Sequence, residues 1–382
     1  MSKVLILGDV HIGKSQNLGK SNIYSSLNSR IIDQKKLLDW VLNKAYEENV
    51  FDIIITGDIF EDPSPKYDLI NLFIDWLKTA EVYKINVHII LGNHDYTRIN
   101  NIYYSPLDII ETANIKNTFV YKTPHTLHFK STSISLFPFC DRKSLFVDSL
   151  ELAKKEVKSM IDFQYSIIPI KNKSIAIGHF ALEGSLYIGD EIDDITNEII
   201  LPLNYFEYDY VWMGHVHKYQ ELAKNKFHIG SMDISDFGEQ DENKYIIIYD
   251  CVNNTYKKEK IPTIKLNKIQ IEVSSEDYSE LSNLKNINNS IVSLEIKYKN
   301  GIKPIGKSKL KEILNKENPY FITNISETKE IKLKENKKTK EFKSGLKLED
   351  ALKKYAEEFV PKDLNDKFLK YSKDLINKLG DK

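Results

Sequence analysis

The chain has 382 residues, a length that allows about two to three domains and a sizeable buried core. Its formal charge is -1, with 54 Lys and Arg against 55 Asp and Glu, so an anionic substrate would have to be bound by a local basic patch. The two cysteines lie far apart, and we find no signal-peptide pattern, which excludes a disulfide miniprotein and favours a reducing compartment. No apolar stretch is long enough to span a bilayer, so the sequence predicts a soluble protein without a membrane partner.

The first part of the chain alternates short β-branched runs with amphipathic helical patterns. Strands are predicted over 4–7, 53–55 and 87–91, each a continuous apolar run typical of a strand that is buried on both faces. Between them, apolar residues at helical spacing predict helices over 37–45 and 69–77. Strands that alternate with helices in this way predict a parallel sheet.

From about residue 131 the predicted strands follow one another more closely. They cover 133–137, 175–177, 210–213, 227–229 and 245–249, and a charged helix is predicted over 143–160. Two sheets packed face to face with helices outside would accommodate these elements. The sequence therefore predicts an α/β fold, arranged as an α/β/β/α sandwich, over residues 1–262.

The last third of the chain has a different pattern of predicted elements. Strands are predicted over 269–273, 291–296 and 320–325, with helices over 277–284 and 308–314. These elements predict a small α+β domain over 263–330. The Lys-rich segment 331–344 is interpreted as a charged linker. Residues 345–382 contain two amphipathic helices, 348–359 and 364–379, whose apolar stripes need a partner surface.

Metal-capable side chains follow five of the predicted strands, each with a glycine close before it. The candidate ligands are Asp9, His11, Asp58, Asn93, His179, His215 and His217. Alternate residues of an extended chain point the same way, so Asp9 and His11 can present two ligands to one spot. Carboxylate, imidazole and amide oxygen suit Mn²⁺, with iron or zinc as alternatives. Seven ligands, one of them able to bridge, favour two ions and therefore phosphoryl transfer to water.

This order of motifs resembles the calcineurin-like metallophosphoesterase superfamily. The run Gly92-Asn93-His94-Asp95 is similar to its nuclease and phosphodiesterase branch. The runs Ile229-Gly230-Ser231 and Asp236-Phe237-Gly238-Glu239 further resemble SbcD-type DNA double-strand-break repair nuclease subunits. Shared motifs are frequent up to about residue 250, and beyond it only the predicted architecture is similar.

This resemblance implies a Mn-dependent exonuclease and endonuclease that hydrolyses phosphodiester bonds at DNA ends. It implies a nuclease domain over 1–262, a DNA-binding or capping domain over 263–330, and a helix–loop–helix over 345–382 that docks an SbcC-type, SMC-like ATPase. It also implies a homodimer within a heterotetramer. The expected location is the cytoplasm of a prokaryotic cell or a phage-infected host.

The resemblance also implies how the site is divided. One metal would be held by Asp9, His11, Asp58 and His217, and the other by Asp58, Asn93, His179 and His215. Two Mn²⁺ ions per chain are expected, with Mg, Fe or Zn as substitutes. His94 would stabilise the transition state or protonate the departing 3' oxygen. Glu61 stands where some members carry a substrate-guiding histidine, a departure that bears on the balance of exonuclease and endonuclease activity.

Three other functions compete with the nuclease. Residues 8–15 match the P-loop pattern in letter, but a P-loop needs a helix that opens at Lys14-Ser15, and no apolar stripe follows there. We therefore interpret Lys14 as a contact to the phosphate backbone of the substrate. The remaining two functions are a phosphatase that acts on a smaller substrate with the same metals and an idle scaffold. The extra domain and the helical tail favour a polymeric substrate.

Overall fold

The computed structural model describes residues 3–21, 27–99, 102–187, 190–191, 198–299, 301–330, 352–353, 355–356, 360 and 364–380. Its strands are β1 (Lys3–Leu7), β2 (Asp52–Ile55), β3 (Asn86–Ile90), β4 (Thr97–Ile99), β5 (Ile102–Tyr104), β6 (Thr118–Tyr121), β7 (His125–His128), β8 (Thr132–Phe137), β9 (Lys173–Gly178), β10 (Leu186–Tyr187), β11 (Asp190–Glu191), β12 (Tyr210–Met213), β13 (Gln220–Ala223), β14 (Lys226–His228), β15 (Tyr245–Asp250), β16 (Thr255–Lys260), β17 (Leu266–Val273), β18 (Ile291–Tyr298) and β19 (Phe321–Lys329). Its α-helices are α1 (Ser29–Glu47), α2 (Tyr67–Val82), α3 (Leu107–Thr112), α4 (Leu150–Ser166), α5 (Lys307–Lys316) and α6 (Asn365–Gly380). The predicted linker 331–344 and most of the predicted helix 348–359 lie outside these ranges.

Two six-stranded sheets form the body of the protein. Their strand orders are β16-β15-β1-β2-β3-β6 and β13-β14-β12-β9-β8-β7. In the first sheet β1, β2, β3 and β6 run parallel, with β15 antiparallel to β1. In the second sheet β8, β9, β12 and β14 run parallel, with antiparallel strands at both edges. Parallel neighbours need crossover connections, which α1 and α2 supply in the first sheet.

The alternation of side chains along β1 explains the layers. Leu5 and Leu7 pack with the apolar faces of α1 and α2 on the outer side of the first sheet. Val4 and Ile6 point the other way, into a core between the sheets that also contains Trp212. A third core packs α4 against the outer face of the second sheet. These layers confirm the predicted α/β/β/α sandwich.

Two predicted helices differ from the structure. The helix predicted over 143–160 begins only at Leu150, because the Ser149 side chain accepts a hydrogen bond from the Leu152 N–H as an N-cap. Before it, Asp141 and Ser144 close a turn of their own. The helix predicted over 277–284 is a short 3₁₀-helix, Ser279–Asn283, which follows a residue in the left-handed conformation.

The unit after residue 262 contains three parallel strands in the order β17-β18-β19. The α+β domain predicted here therefore has connections of the βαβ type, with α5 between β18 and β19. It contacts the body through Leu266, which packs with Leu18 and Ile234. The Tyr320 hydroxyl also donates to the Asp33 carboxylate at 2.6 Å. Among the helices described, none is both long and apolar enough to cross a membrane.

Candidate metal centre

The predicted active-site residues all lie where strands of the two sheets end. Asp9 and His11 follow β1, Asp58 follows β2, Asn93 and His94 follow β3, His179 follows β9, and His215 and His217 follow β12. The carboxyl ends of these strands meet at one edge of the sandwich, the edge at which ligands bind in α/β folds. The structure therefore brings the eight residues into one cluster, to which the first sheet contributes five and the second sheet three.

The loops at these strand ends adopt unusual backbone conformations. The backbone φ angles of His11, Asp58 and His215 are 49°, 48° and 78°. These values lie in the left-handed region, which residues other than glycine rarely adopt. Gly57, with φ of 117°, has no room for a side chain, because a Cβ there would lie 2.6 Å from Nδ1 of His179. Tight backbone turns thus aim the side chains at one point.

Asp58 occupies the centre of the cluster. Its Oδ2 atom lies 3.4 Å from Nε2 of His11 and 3.4 Å from Nε2 of His179. Its Oδ1 atom accepts a hydrogen bond from the His94 N–H at 2.8 Å. Burial alone would raise the pKa of this carboxyl, but the charges of His179 and His11 hold it well below its usual range. One ionised oxygen therefore faces histidines from both sheets.

Asp9, His11 and His217 form one group of possible ligands. Each offers a ligand atom, and these atoms all lie within 4.8 Å of one another. The Nε2 atoms of His11 and His217 are 2.9 Å apart, so only one of them can carry a proton between the two rings. Asp9 is fully buried, and its carboxylate accepts from the Thr56 hydroxyl and from the His215 N–H.

Asn93, His179 and His215 form a second group beside the first. The Asn93 side-chain oxygen lies 2.8 Å from Nε2 of His179 and 2.8 Å from Nδ1 of His215. Burial opposes protonation of His179, but the charges of Asp58 and Asp9 outweigh it and raise the pKa of His179 to about 9. This cluster therefore attracts positive charge. Its carboxylate, amide and imidazole donors fit a divalent cation such as Mn²⁺.

Each histidine of the cluster is held on its outer side by an acceptor. His11 Nδ1 contacts the Glu61 carboxylate at 2.8 Å, His94 Nδ1 donates to the Glu61 carbonyl at 2.8 Å, His179 Nδ1 donates to the Thr56 carbonyl at 2.8 Å, His217 Nδ1 contacts the Glu239 carboxylate at 3.3 Å, and His215 Nε2 contacts the Glu198 carboxylate. Acceptors in this position fix the tautomer and the ring orientation of metal-binding histidines. In four of these rings the second nitrogen meets another member of the cluster, as it does in His11, His179, His215 and His217.

Glu198 and Glu239 were not among the site residues predicted from the sequence. Glu239 belongs to the run 236–239 that carried the family resemblance, so a signal was present although no role was assigned to it. It is buried beside Lys244, which donates to it at 3.1 Å. Burial would raise the pKa of Glu239, but the hydrogen bond from His217 and the charge of Lys244 lower it to about 2. Glu198 lies in no recognisable motif.

The contacts of Asp95 explain why the run Gly92-Asn93-His94-Asp95 ends in an acidic residue. Its buried carboxylate accepts hydrogen bonds from the Ile59 N–H at 2.8 Å and from the Gly92 N–H at 2.9 Å. Burial, followed by the charge of Asp58, raises the pKa of this carboxyl to about 7. Asp95 thus joins the loop after β2 to the loop after β3 and fixes the relative positions of Asp58 and Asn93.

The two predicted substrate contacts lie together at the rim of the cluster. Lys14 Nζ is 3.6 Å from the Glu61 carboxylate, which in turn contacts His11. Ser15 has a left-handed backbone and is followed by a 3₁₀-helix of three residues, Gln16–Leu18, whereas α1 begins only at Ser29. Over the described residues 14–21 no α-helix opens, so the helix that a P-loop needs after its lysine is not there.

Comparison with known proteins agrees with this geometry. The family model of the calcineurin-like phosphoesterases matches residues 2–219, more than half of the chain. The chain therefore belongs to the calcineurin-like phosphoesterase family, as its motifs predicted. This family uses a dimetal site, and membership makes the chain a hydrolase of phosphate esters.

Three relatives are similar to this chain at low identity. The "DNA double-strand break repair protein Mre11" of Methanopyrus kandleri is 26% identical over 215 residues, which are 55% of this chain and 43% of that protein. The SbcD subunit of the nuclease SbcCD from Escherichia coli K12 is 23% identical over 269 residues, 64% of each chain. The corresponding subunit from Staphylococcus saprophyticus is 23% identical over 297 residues, 73% of each chain. This chain covers less than two thirds of the length of the first two.

Proposed function

We propose that this chain is the nuclease subunit of an SbcCD-like complex, a Mn-dependent exonuclease and endonuclease that hydrolyses phosphodiester bonds at DNA ends. Repair, recombination or replication of DNA in a prokaryotic cytoplasm or a phage-infected host would be its setting. The observation that carries the proposal is Asp58 Oδ2, which lies 3.4 Å from a histidine of each ligand group. The names of the three relatives support DNA as the substrate.

Two cations would share Asp58 in this proposal. Asp9, His11, Asp58 and His217 would hold one, and Asp58, Asn93, His179 and His215 the other. When bound, such a pair polarises the phosphoryl oxygens and activates water at neutral pH. The acceptors behind the four histidines keep their rings aimed at the centre, so that little reorganisation is needed when cations bind.

His94 would supply the proton for the departing 3' oxygen. Its Nδ1 donates to the Glu61 carbonyl, which leaves Nε2 as the atom that can meet the substrate. Its main-chain N–H also donates to Asp58, so the position of the ring depends on the central carboxylate. A ring nitrogen of His94 lies within 4.8 Å of ligand atoms of His11 and Asp58, and metal analysis of a variant distinguishes an acid from a further ligand.

Lys14 and Glu61 would contact the substrate at the rim of the metal centre. Lys14 is partly exposed and could contact a phosphate of the DNA backbone, while its contact with Glu61 at 3.6 Å keeps it close to the centre. The Glu61 side chain contacts His11 and its carbonyl accepts from His94, so Glu61 would also position both histidines. A substitution at Glu61 should therefore change metal affinity as well as the balance of exonuclease and endonuclease activity.

The assay that tests this function compares two substrates. The purified full chain with Mn²⁺ should cleave end-labelled duplex DNA, and EDTA should abolish the cleavage. p-Nitrophenyl phosphate, a monoester, should be hydrolysed far more slowly. Rapid hydrolysis of the monoester with no cleavage of DNA would instead establish a phosphatase that acts on a smaller substrate.

The proposed partner is an SbcC-type, SMC-like ATPase, bound by the helical tail of a homodimer within a heterotetramer. Helix α6 is amphipathic, and the half-buried Phe368 stacks on Tyr355 with their ring centroids 5.8 Å apart. Deletion of 345–382 should leave metal-dependent cleavage of single strands intact and abolish copurification with the ATPase. Phe368→Asp should weaken copurification more than Lys370→Asp, the matched change at an exposed site on the same helix. Full-strength copurification of the truncated chain would refute the docking role.

A further inference from the structure

An apolar cavity of about 410 Å³ lies beside the candidate metal centre. Its lining includes Leu91, Tyr96, Tyr103, Phe139, Cys140 and Met160. Leu91 follows β3 and Phe139 follows β8, so the cavity lies at the same edge of the sandwich as the metal-capable residues. The site described above uses none of these side chains.

Phe139 forms the wall between the cavity and the metal centre. Its ring centroid is 6.1 Å from the ring of His215, with the two planes only 21° apart. It is also 6.1 Å from the ring of His179, which it meets edge to face. A group held in the cavity would therefore lie directly beside a phosphate held by the metal centre.

The chemistry of the cavity wall suits a flat aromatic group. The centroid of the Tyr96 ring lies 5.4 Å from that of Tyr103 and 6.1 Å from that of Phe139. Every nucleobase has a face that can stack on such rings, and stacking of this kind does not depend on base identity. Burial raises the pKa of the Cys140 thiol to about 12, so this side chain is a neutral part of the wall.

We propose that this cavity receives one unstacked nucleobase of the substrate strand, from the nucleotide that carries the scissile phosphate. The inference rests on the nuclease function proposed above and adds a base-binding subsite to it. Removing a base from its stack costs free energy in a duplex, and the cost is smaller where the base is already unpaired. A subsite of this kind therefore favours frayed or single-stranded DNA ends and does not discriminate between the four bases.

A scan with abasic nucleotides tests the subsite. An end-labelled strand carries a single tetrahydrofuran residue at successive positions, and the full chain cleaves it in the presence of Mn²⁺. Cleavage of the adjacent phosphate should fall by about 5- to 150-fold, the value of one base–aromatic stack, only when the missing base is the one that enters the cavity. Neighbouring abasic positions should have little effect.

Two variants with matched controls link the scan to the cavity. Met160→Trp, on α4, fills the cavity, and Leu152→Trp places the same side chain on the exposed face of that helix. Tyr103→Ala removes one wall, and Tyr104→Ala is its neighbour outside the cavity. Both cavity variants should slow cleavage of normal DNA and lose the abasic effect, whereas both controls should behave like the wild type. If Met160→Trp lowers the melting temperature, the partly exposed Tyr103 still provides the test.

The outcomes separate this inference from the function on which it rests. An abasic effect at one position that disappears in the cavity variants supports the subsite. The subsite is overturned if DNA is cleaved equally well at every abasic position, or if the abasic effect survives in both cavity variants. The proposed nuclease function would stand in either case. Absence of any DNA cleavage by the wild type overturns both.

Discussion

Two buried regions of this protein contain histidines beside acidic side chains, and they differ in what the second ring nitrogen meets. In the body of the first sheet, His88 places Nδ1 2.9 Å from the Tyr121 hydroxyl and Nε2 3.3 Å from the Asp52 carboxylate. Both nitrogens are thus occupied by neighbours on adjacent strands. In the metal centre, His217 has Glu239 on one nitrogen and His11 on the other.

Burial beside a carboxylate therefore does not by itself identify a histidine as a metal ligand. What distinguishes the metal centre is convergence, because rings from separate loops point their second nitrogen at one another around Asp58. His228 belongs with His88, since its nitrogens meet the Ser185 hydroxyl and the Gly214 carbonyl. These contacts give His88 and His228 structural roles in the body of the protein.

The largest effect is expected from the central carboxylate. Asp58→Asn should abolish Mn-dependent hydrolysis, because a neutral amide bridges two cations poorly and the paired site becomes one weak site. Circular dichroism and thermal melting should show a folded chain. Asp62→Asn, an exposed change in the same loop, should keep normal activity. Near wild-type cleavage by Asp58→Asn would contradict a shared carboxylate.

His94→Ala should lower turnover by about 10²- to 10⁴-fold, the usual contribution of a general acid. The manganese content of the purified variant should not change, because the proposed role of His94 involves substrate and not metal. His125→Ala, at an exposed histidine, is the control. Loss of bound manganese in His94→Ala would make His94 a ligand and would require another source for the proton.

Glu239→Gln should weaken manganese binding by about 10- to 100-fold, since the acceptor behind a metal-binding histidine contributes to its affinity. Titration calorimetry of the full chain with Mn²⁺ measures this directly. Glu242→Gln is a close control, because Glu242 also binds Lys244, at 2.8 Å, while Glu239 contacts His217. Equal affinities in the two variants would show that the contact with His217 has no such role.

His228 should make stability dependent on pH, a smaller effect that is independent of metal. Burial, followed by the charge of His215, lowers the pKa of His228 to about 3. Between about pH 6.5 and about pH 3 the unfolded chain then binds one more proton at His228 than the folded chain, so this group lowers the free energy of unfolding as pH falls, by about 1.4 kcal/mol per pH unit. Asp95, whose pKa is raised, contributes with the opposite sign in part of this range, so the effect of His228 is the difference between the wild type and His228→Gln. In urea titrations in EDTA, acidification from about pH 7 to about pH 5.5 should lower the free energy of unfolding of the wild type by about 1 kcal/mol relative to that of His228→Gln. Equal changes in the two proteins would contradict the assignment.

Much of the fold followed from local patterns. A continuous apolar run such as 4–7 can be satisfied only where both faces are covered, and β1 indeed contacts a core on each side. The candidate ligands could be predicted because each follows such a run across a glycine turn, so that local sequence and global position agree. The start of α4 was missed because one short side chain, Ser149, decides it.

The acceptors behind the histidines could not be read from the sequence in the same way. Glu239 meets His217 across 22 residues, and Glu198 meets His215 across 17, in loops without a repeating pattern. Their role depends on how two sheets bring loops together. Periodicity reports which face of an element is buried, but it contains no information about contacts between irregular segments.

In the proposed metal centre one carboxylate, Asp58, would be shared by two cations. Anomalous diffraction at the manganese edge, from crystals of the full chain grown with Mn²⁺, tests this sharing. Two peaks are expected about 3.5 to 4 Å apart, one on each side of Asp58 Oδ2, with the first beside His11 and the second beside His179. A single peak, or two peaks of which only one contacts Asp58, would contradict it.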